Sequence, residues 1–134
     1  MTNRYCEMII NKSYGGFQFS DFVCQLYFEK TQCNLKYEMQ ELFRYDPILI
    51  DLVKKYGDKV NTKYSKLCII QFDKRFKNYI DIHEYDGFET ATYNIDMYIR
   101  NTIAEIIDSE ISSDNKIEKI EQLMNTLPST DIIF

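Results

Sequence analysis

Tryptophan is absent from the 134 residues, and histidine occurs once, as His83. A single imidazole leaves no histidine-rich metal set. It is also the only base available to Ser20 or Ser65, and no spacing brings it to either, so no nucleophilic triad can be assembled. The four cysteines, Cys6, Cys24, Cys33 and Cys68, lack the paired spacing of a zinc finger, and a structural zinc site needs four well-placed ligands. We therefore expect no metal, no cofactor and four free thiols in a reducing compartment. Cys6, Cys24 and Cys68 sit in apolar surroundings and should pack as small hydrophobes. No apolar run approaches the roughly 20 residues of a membrane span. The start, Met1-Thr2-Asn3-Arg4, has no leader character. These absences predict a soluble protein, neither secreted nor membrane-spanning. With four glycines and two prolines, the chain has no low-complexity tract, and it has no internal repeat.

Charge of one sign is missing from most of the chain. Residues 1–93 carry 13 acidic and 13 basic side chains, whereas residues 94–134 carry eight acidic and three basic, so the net −5 lies wholly in the last third. A generic nucleic-acid binder needs a basic field, and the chain has none overall. The break at Asn94 divides the chain into an α+β core over residues 1–93 and a helical extension over 94–134, packed on the core or forming an interface.

What is present begins with Met8-Ile9-Ile10, an apolar run followed by Asn11-Lys12-Ser13-Tyr14-Gly15-Gly16-Phe17-Gln18-Phe19-Ser20. It reads as a strand over 5–10, a glycine turn and a helix start. Cys6, Met8 and Ile10 share one strand face and Ile9 takes the other. Ser20 is a helix cap, with Asp21 in the first turn and Val23, Leu26 and Tyr27 as the buried stripe of a helix over 21–30. Leu35, Met39, Leu42 and Phe43 permit a short second helix. Asp46-Pro47 is the clearest helix start, with Leu49, Leu52, Val53 and Tyr56 buried and a left-handed cap at Gly57. Leu67–Phe72 is apolar on both faces and should be an inner strand. Tyr79–Tyr85 alternates, and these two strands should form a hairpin, closed off by an Asp86-Gly87 turn. The expected sheet is mixed or antiparallel, of about three strands, covered by helices on one face. From Asn94 the period becomes helical. Ile95, Ile99, Ile103 and Ile106 form one stripe. Ile117, Ile120, Met124 and Leu127 form another, after a cap at Ser112 or Ser113 and before Pro128.

Several residues are candidates for chemistry. Gly15 and Gly16, ahead of the helix at Ser20, can present backbone N–H groups to a small anion, or simply make a tight turn beside Tyr14. No P-loop lysine or GxGxxG pattern accompanies them. Glu84, Asp86 and Glu89 can hold a divalent metal or act as acid and base, or be solvated turn residues. Arg44 can pair with Asp86 or Glu84, or bind a phosphate. Lys66 shares that ambiguity.

In order and spacing, Ile9-Ile10-Asn11-x-x-Tyr14-Gly15-Gly16-Phe17-x-Phe19-Ser20, Arg44-x-Asp46-Pro47-x-Leu49-Ile50, Ser65-Lys66-Leu67 and Glu84-Tyr85-Asp86-Gly87 resemble a family of small proteins from tailed phages and large DNA viruses. Its members read INxxYGGFxLS, RxDPxLIxxVxxLG, SKLxIxxIP and EEYDGxE. The resemblance covers residues 5–92 and implies a viral origin rather than an activity. Phe19 stands where the family has Leu, and the tail from Asn94 is outside the common pattern. The expectation is a virus-encoded accessory protein that binds a host or viral partner without catalysis, in host cytoplasm or virion. The alternatives are a nucleotide-binding or nucleotide-processing protein using Tyr14, Gly15, Gly16, Ser20, Arg44, Lys66, Glu84 and Asp86, and a virion or assembly component. The two tail stripes further predict a homodimer with Ile99, Ile103, Ile120 and Met124 at the interface.

Overall fold

The computed structural model describes residues 4–134; Met1-Thr2-Asn3, where no leader was expected, lies outside the described residues. The fold is α+β, as the sequence predicts. Strand β1 spans Tyr5–Asn11, helix α1 Asp21–Thr31 and helix α2 Pro47–Tyr56. Strands β2 (Leu67–Asp73), β3 (Ile80–Tyr85) and β4 (Phe88–Tyr93) follow, then helices α3 (Ile95–Asp108) and α4 (Ser113–Asn125).

The strands form two antiparallel pairs, β1 with β2 and β3 with β4. The expected β2–β3 hairpin is therefore corrected. β2 instead pairs with β1 along its whole length, from Tyr5 opposite Asp73 to Asn11 opposite Leu67. Two causes are visible. After β2, the Asp73 side chain accepts the Arg75 N–H at 3.0 Å and starts a short 3-10 turn that carries the chain away. Further on, Asp86 and Gly87 have φ of +49° and +90°. Positive φ at both central residues is what a type I′ hairpin turn requires, so β3 folds back on Phe88–Tyr93, a strand the alternation alone had not suggested.

The β1–β2 pair is buried on both sides, which explains its apolar character on both faces. Ile9, Leu67 and Ile69 face α1 and α2, where Val23, Tyr27, Leu49, Leu52 and Val53 pack with Phe19, Leu35 and Val60. Met8, Ile10, Ile70 and Phe72 face the second pair, meeting Ala91, Ile80 and Ile82. The helices thus cover one face, and the β3–β4 hairpin covers the other. The outer edge of β4 is filled by the chain's last residues: Tyr93 donates its N–H to the Asp131 carbonyl, and Ala91 to that of Phe134.

The helix ends follow their caps. Ser20 accepts the Val23 N–H, and Asp46 accepts those of Ile48 and Leu49 at 2.9 and 3.2 Å. The Tyr27 hydroxyl donates to the other Asp46 oxygen at 2.7 Å, tying α1 to the start of α2. Burial and this hydrogen bond to Asp46 push the Tyr27 pKa up to about 12. Gly57 ends α2 at φ +54° and ψ −123°, outside the left-handed helical region expected, and leads into a 3-10 turn. The second helix permitted over 35–43 is replaced by two 3-10 turns, Leu35–Tyr37 and Gln40–Phe43. Gln40 accounts for this, since its amide donates to the Leu35 carbonyl and accepts the Phe19 N–H, taking the place of helical bonds. Met39 and Leu42 consequently remain exposed.

The tail is attached more lightly. α3 has no fully buried residue and α4 only Leu123. Ile99, Ile103 and Ile120 are half-buried and Met124 is exposed. Tyr98 stacks on Phe76 at 4.3 Å, and Arg75 donates to Thr126 at the end of α4. Burial alone would raise the pKa of the Asp73 carboxyl. Hydrogen bonds from the Arg75 guanidinium and N–H outweigh this and hold it below its ordinary value. Asn94 and Ser112 cap these helices, and α4 ends at Asn125, before Leu127 and Pro128.

Candidate functional site

The motif segments converge on one junction. Asn11, at the end of β1, is fully buried. Its amide donates to the Ser13 and Gly87 carbonyls, each at 2.8 Å, and its side-chain oxygen accepts the Lys66 N–H at 2.9 Å. Its backbone N–H donates to Glu89 at 2.8 Å. One side chain thus joins the glycine turn, the segment before β2 and the tip of the β3–β4 hairpin.

Arg44 completes the junction. Its guanidinium forms a two-pronged pair with Glu89, at 3.2 and 2.9 Å, and donates to the Ile9 and Glu41 carbonyls at 3.0 Å each. The two side chains are only 10% and 7% exposed. The expected pairing of Arg44 with Asp86 or Glu84 is corrected: the partner is Glu89. The alternation of β4 explains it, because Glu89 and Ala91 point inward while Thr90 points out. Glu84 accepts the Gly87 N–H at 2.9 Å, and Asp86 is the first residue of the turn proper. A buried charge pair is stable only if its remaining lone pairs and protons are also bonded. Here Asn11, Ile9 and Glu41 supply those partners.

The glycines serve close approach. Gly16 has φ +101°. A Cβ on Gly15 would lie 2.1 Å from the Tyr64 carbonyl oxygen, and one on Gly87 would lie 2.3 Å from the Gly16 nitrogen. Three loops therefore touch backbone to backbone, a contact that only glycine permits.

Of the eight residues singled out for ligand binding, Gly15, Gly16 and Arg44 meet in this junction, with Glu84 and Asp86 in the hairpin tip beside it. Lys66 contributes its backbone, and its side chain is exposed. Ser20 stands apart, donating its hydroxyl to the Lys59 carbonyl at 2.6 Å and accepting from Val23. Ser65 donates to the Gln18 carbonyl, and His83 pairs with Thr92 at 2.9 Å. Among the described residues, no group of three or more His, Cys, Asp or Glu side chains is arranged to hold a metal. None of the buried side-chain nitrogen and oxygen atoms described lacks a hydrogen-bond partner. The four cysteines are free, and burial pushes the Cys24 and Cys68 thiols up.

The junction presents aromatic rings. Tyr14 is 68% exposed and stacks on Phe88 with ring centroids 5.3 Å apart. Phe88 lies directly opposite Tyr85, which is 74% exposed, and Tyr64, whose backbone rests on Gly15, is 59% exposed. Exposed Lys63 and Lys66 flank Tyr64, and the Lys63 ammonium lies 5.5 Å from its ring. Sequence reasoning missed Asn11 and Glu89 as junction residues, and Tyr64 and Tyr85 as surface. The signals were an amide ending an apolar strand and an Asp-Gly turn flanked by aromatics.

No protein-family model matches the chain, and no curated protein or solved structure matches it. No helix among the described residues is long and apolar enough to cross a membrane.

Proposed function

We propose that the chain is a virus-encoded accessory protein that binds a protein partner, host or viral, through the tyrosine-bearing loops over the buried junction, and performs no catalysis. One observation carries this reading. Tyr14 and Tyr64 project from two loops and Tyr85 from the end of β3, and these segments are locked together by Asn11, Arg44–Glu89 and the glycine contacts. Tyrosine gives large contact area for little entropy loss, and a rigid platform lowers the cost of association. Lys63, Lys66, Glu84 and Asp86 supply a mixed-charge rim, which suits a protein surface better than a phosphate backbone.

The nucleotide reading draws no support from Arg44, whose donors are occupied by Glu89, Ile9 and Glu41, or from Ser20, whose hydroxyl serves Lys59 and Val23. The viral origin rests on the motif resemblance alone.

The test is a surface variant carrying Tyr14→Ser, Tyr64→Ser and Tyr85→Ser together. These side chains are exposed, so the unfolding midpoint should move little, while proteins captured quantitatively by the wild-type chain from candidate host cells should be lost. An unchanged set of captured proteins would remove the platform from consideration. A nucleotide-dependent rise in the wild-type melting temperature would favour the alternative.

A further inference from the structure

The outer edges of the strands are unequally protected. On β4, the Ala91 N–H donates to the Phe134 carbonyl, and the Ala91 carbonyl accepts from Ile133. Both backbone groups of Ala91 therefore point away from β3. Ala91 lies opposite Ile82, so theirs is a pair without mutual backbone bonds, and the Ile82 N–H and carbonyl must point away from β4. The same alternation turns Ile80 and Glu84 outward. β4's edge is filled by residues 131–134. β1's edge is covered at Ile9 by Arg44 and at Asn11 by Glu89. On β2's outer edge, Leu67 donates to the Asn61 side chain and Asp73 to the Tyr93 hydroxyl. β3 has no comparable cover among the described residues, and such an edge is a template for a further strand.

We propose that β3 is a self-pairing edge: two copies of the chain associate antiparallel, β3 against β3, about a two-fold axis at Ile82. The sequence of the edge selects a second copy. In that register the outward groups of Ile82 meet those of the other Ile82, and Ile80 meets Glu84, so each outward N–H finds a carbonyl. The intervening pair sets Asp81 opposite His83 of the other copy, twice over by symmetry. Pairs of this kind, without backbone bonds between them, bring their side chains closest. Both side chains are exposed on the solvent face of the hairpin. His83 bonds Thr92 through Nε2, leaving Nδ1 for a carboxylate. Asp81 lines an open cleft with Asp96 and Asp131, an acidic setting that favours an imidazole over another carboxylate. Any register shifted by one residue would lose this match and set the outward backbone groups of one strand opposite residues whose groups point toward β4, so the bonds between copies could not form. A two-fold interface is self-complementary by construction. The edge adjoins the tyrosine platform at Glu84 and Tyr85, but changes at Ile82, Asp81 and His83 leave Tyr14, Tyr64 and Tyr85 in place, so the two readings are tested by different variants.

Sedimentation equilibrium of the full chain over a concentration series is the test. The mass should rise from the 16.1 kDa of one chain toward twice that value. Ile82→Pro removes an outward N–H while sparing the β3–β4 ladder, and it should stay monomeric with an unchanged far-UV circular dichroism spectrum. Asp81→Lys should weaken association about tenfold, and Asp81→Lys combined with His83→Asp should restore it. The charge pair keeps the test decisive if the proline variant does not fold. A wild-type chain that stays at one-chain mass at high micromolar concentration would overturn the proposal. So would failure of the charge swap to restore association, or a dimer abolished by Ile103→Asp in α3 and indifferent to Asp81.

Discussion

The junction around Asn11 and the helical tail are built on opposite principles. The junction is buried and polar, with Asn11, Arg44 and Glu89 joined in one network that also bonds Ile9, Ser13, Glu41, Lys66 and Gly87. The tail is amphipathic and half-exposed, with Leu123 its one buried helical residue. Burying polar groups costs free energy unless every donor and acceptor is matched, and a matched network specifies one arrangement. An amphipathic stripe specifies only that something apolar should cover it. The junction therefore fixes geometry, while the tail contributes adhesion. The segments that carry the motifs are those fixing geometry.

Core and tail should separate sharply under truncation. Leu49→Ala opens a cavity between α2 and the first sheet and should lower stability by about 2–5 kcal/mol. Ile103→Ala, half-exposed on α3, should cost less than about 1 kcal/mol by the same transfer argument scaled to its burial. Denaturant midpoints with unchanged m-values would establish the contrast; equal losses would show that the tail is as integral as the core.

Within the junction, Gly87→Ala should destabilise by about 1–3 kcal/mol, since it combines positive φ with a collision against the Gly16 backbone. Gly57→Ala, also at positive φ but with open space around it, should lose less. Thermal melts of the two variants would separate contact from conformation.

At the α1–α2 join, Asp46→Ala removes a cap and the Tyr27 acceptor together. Loss of the cap alone should cost about 0.5–2 kcal/mol, and urea denaturation would measure the total. The smallest effect is a pH dependence. With its pKa raised to about 12, Tyr27 contributes stability that is complete below the ordinary tyrosine pKa of about 10. That contribution is lost as pH rises through the folded-state value. Wild type should thus lose stability over this alkaline window more steeply than Tyr27→Phe, and parallel curves would refute it.

Much of the architecture was legible locally. Asp46-Pro47 and Ser20 announced helix starts, and the pair Ser112-Ser113 a third, because caps act within a few residues. Met8-Ile9-Ile10 announced a strand, and Leu67–Phe72, apolar on both faces, an inner one. Long-range pairing was less accessible. Ile70 and Phe72 would suit a partner on either side of β2, and only the positive φ at both Asp86 and Gly87 commits β3 to β4. Arg44 reads the same whether it meets Glu84, Asp86 or Glu89, because hairpin register decides which carboxylate turns inward. Tyr14 was read beside its turn, while Tyr64 and Tyr85, distant in sequence, became its neighbours only through glycine contacts.

Arg44 and Glu89 are locked together as structure. A double-mutant cycle with Arg44→Met and Glu89→Leu tests it most directly. Each single change strands a buried charge and should cost about 3–5 kcal/mol, while the double variant, leaving no unpaired charge, should recover much of that loss. A coupling free energy of about 2 kcal/mol or more is expected from denaturant titrations of the four proteins. Single variants of near wild-type stability with coupling close to zero would contradict it, and would return Arg44 to the role of a free ligand-binding cation.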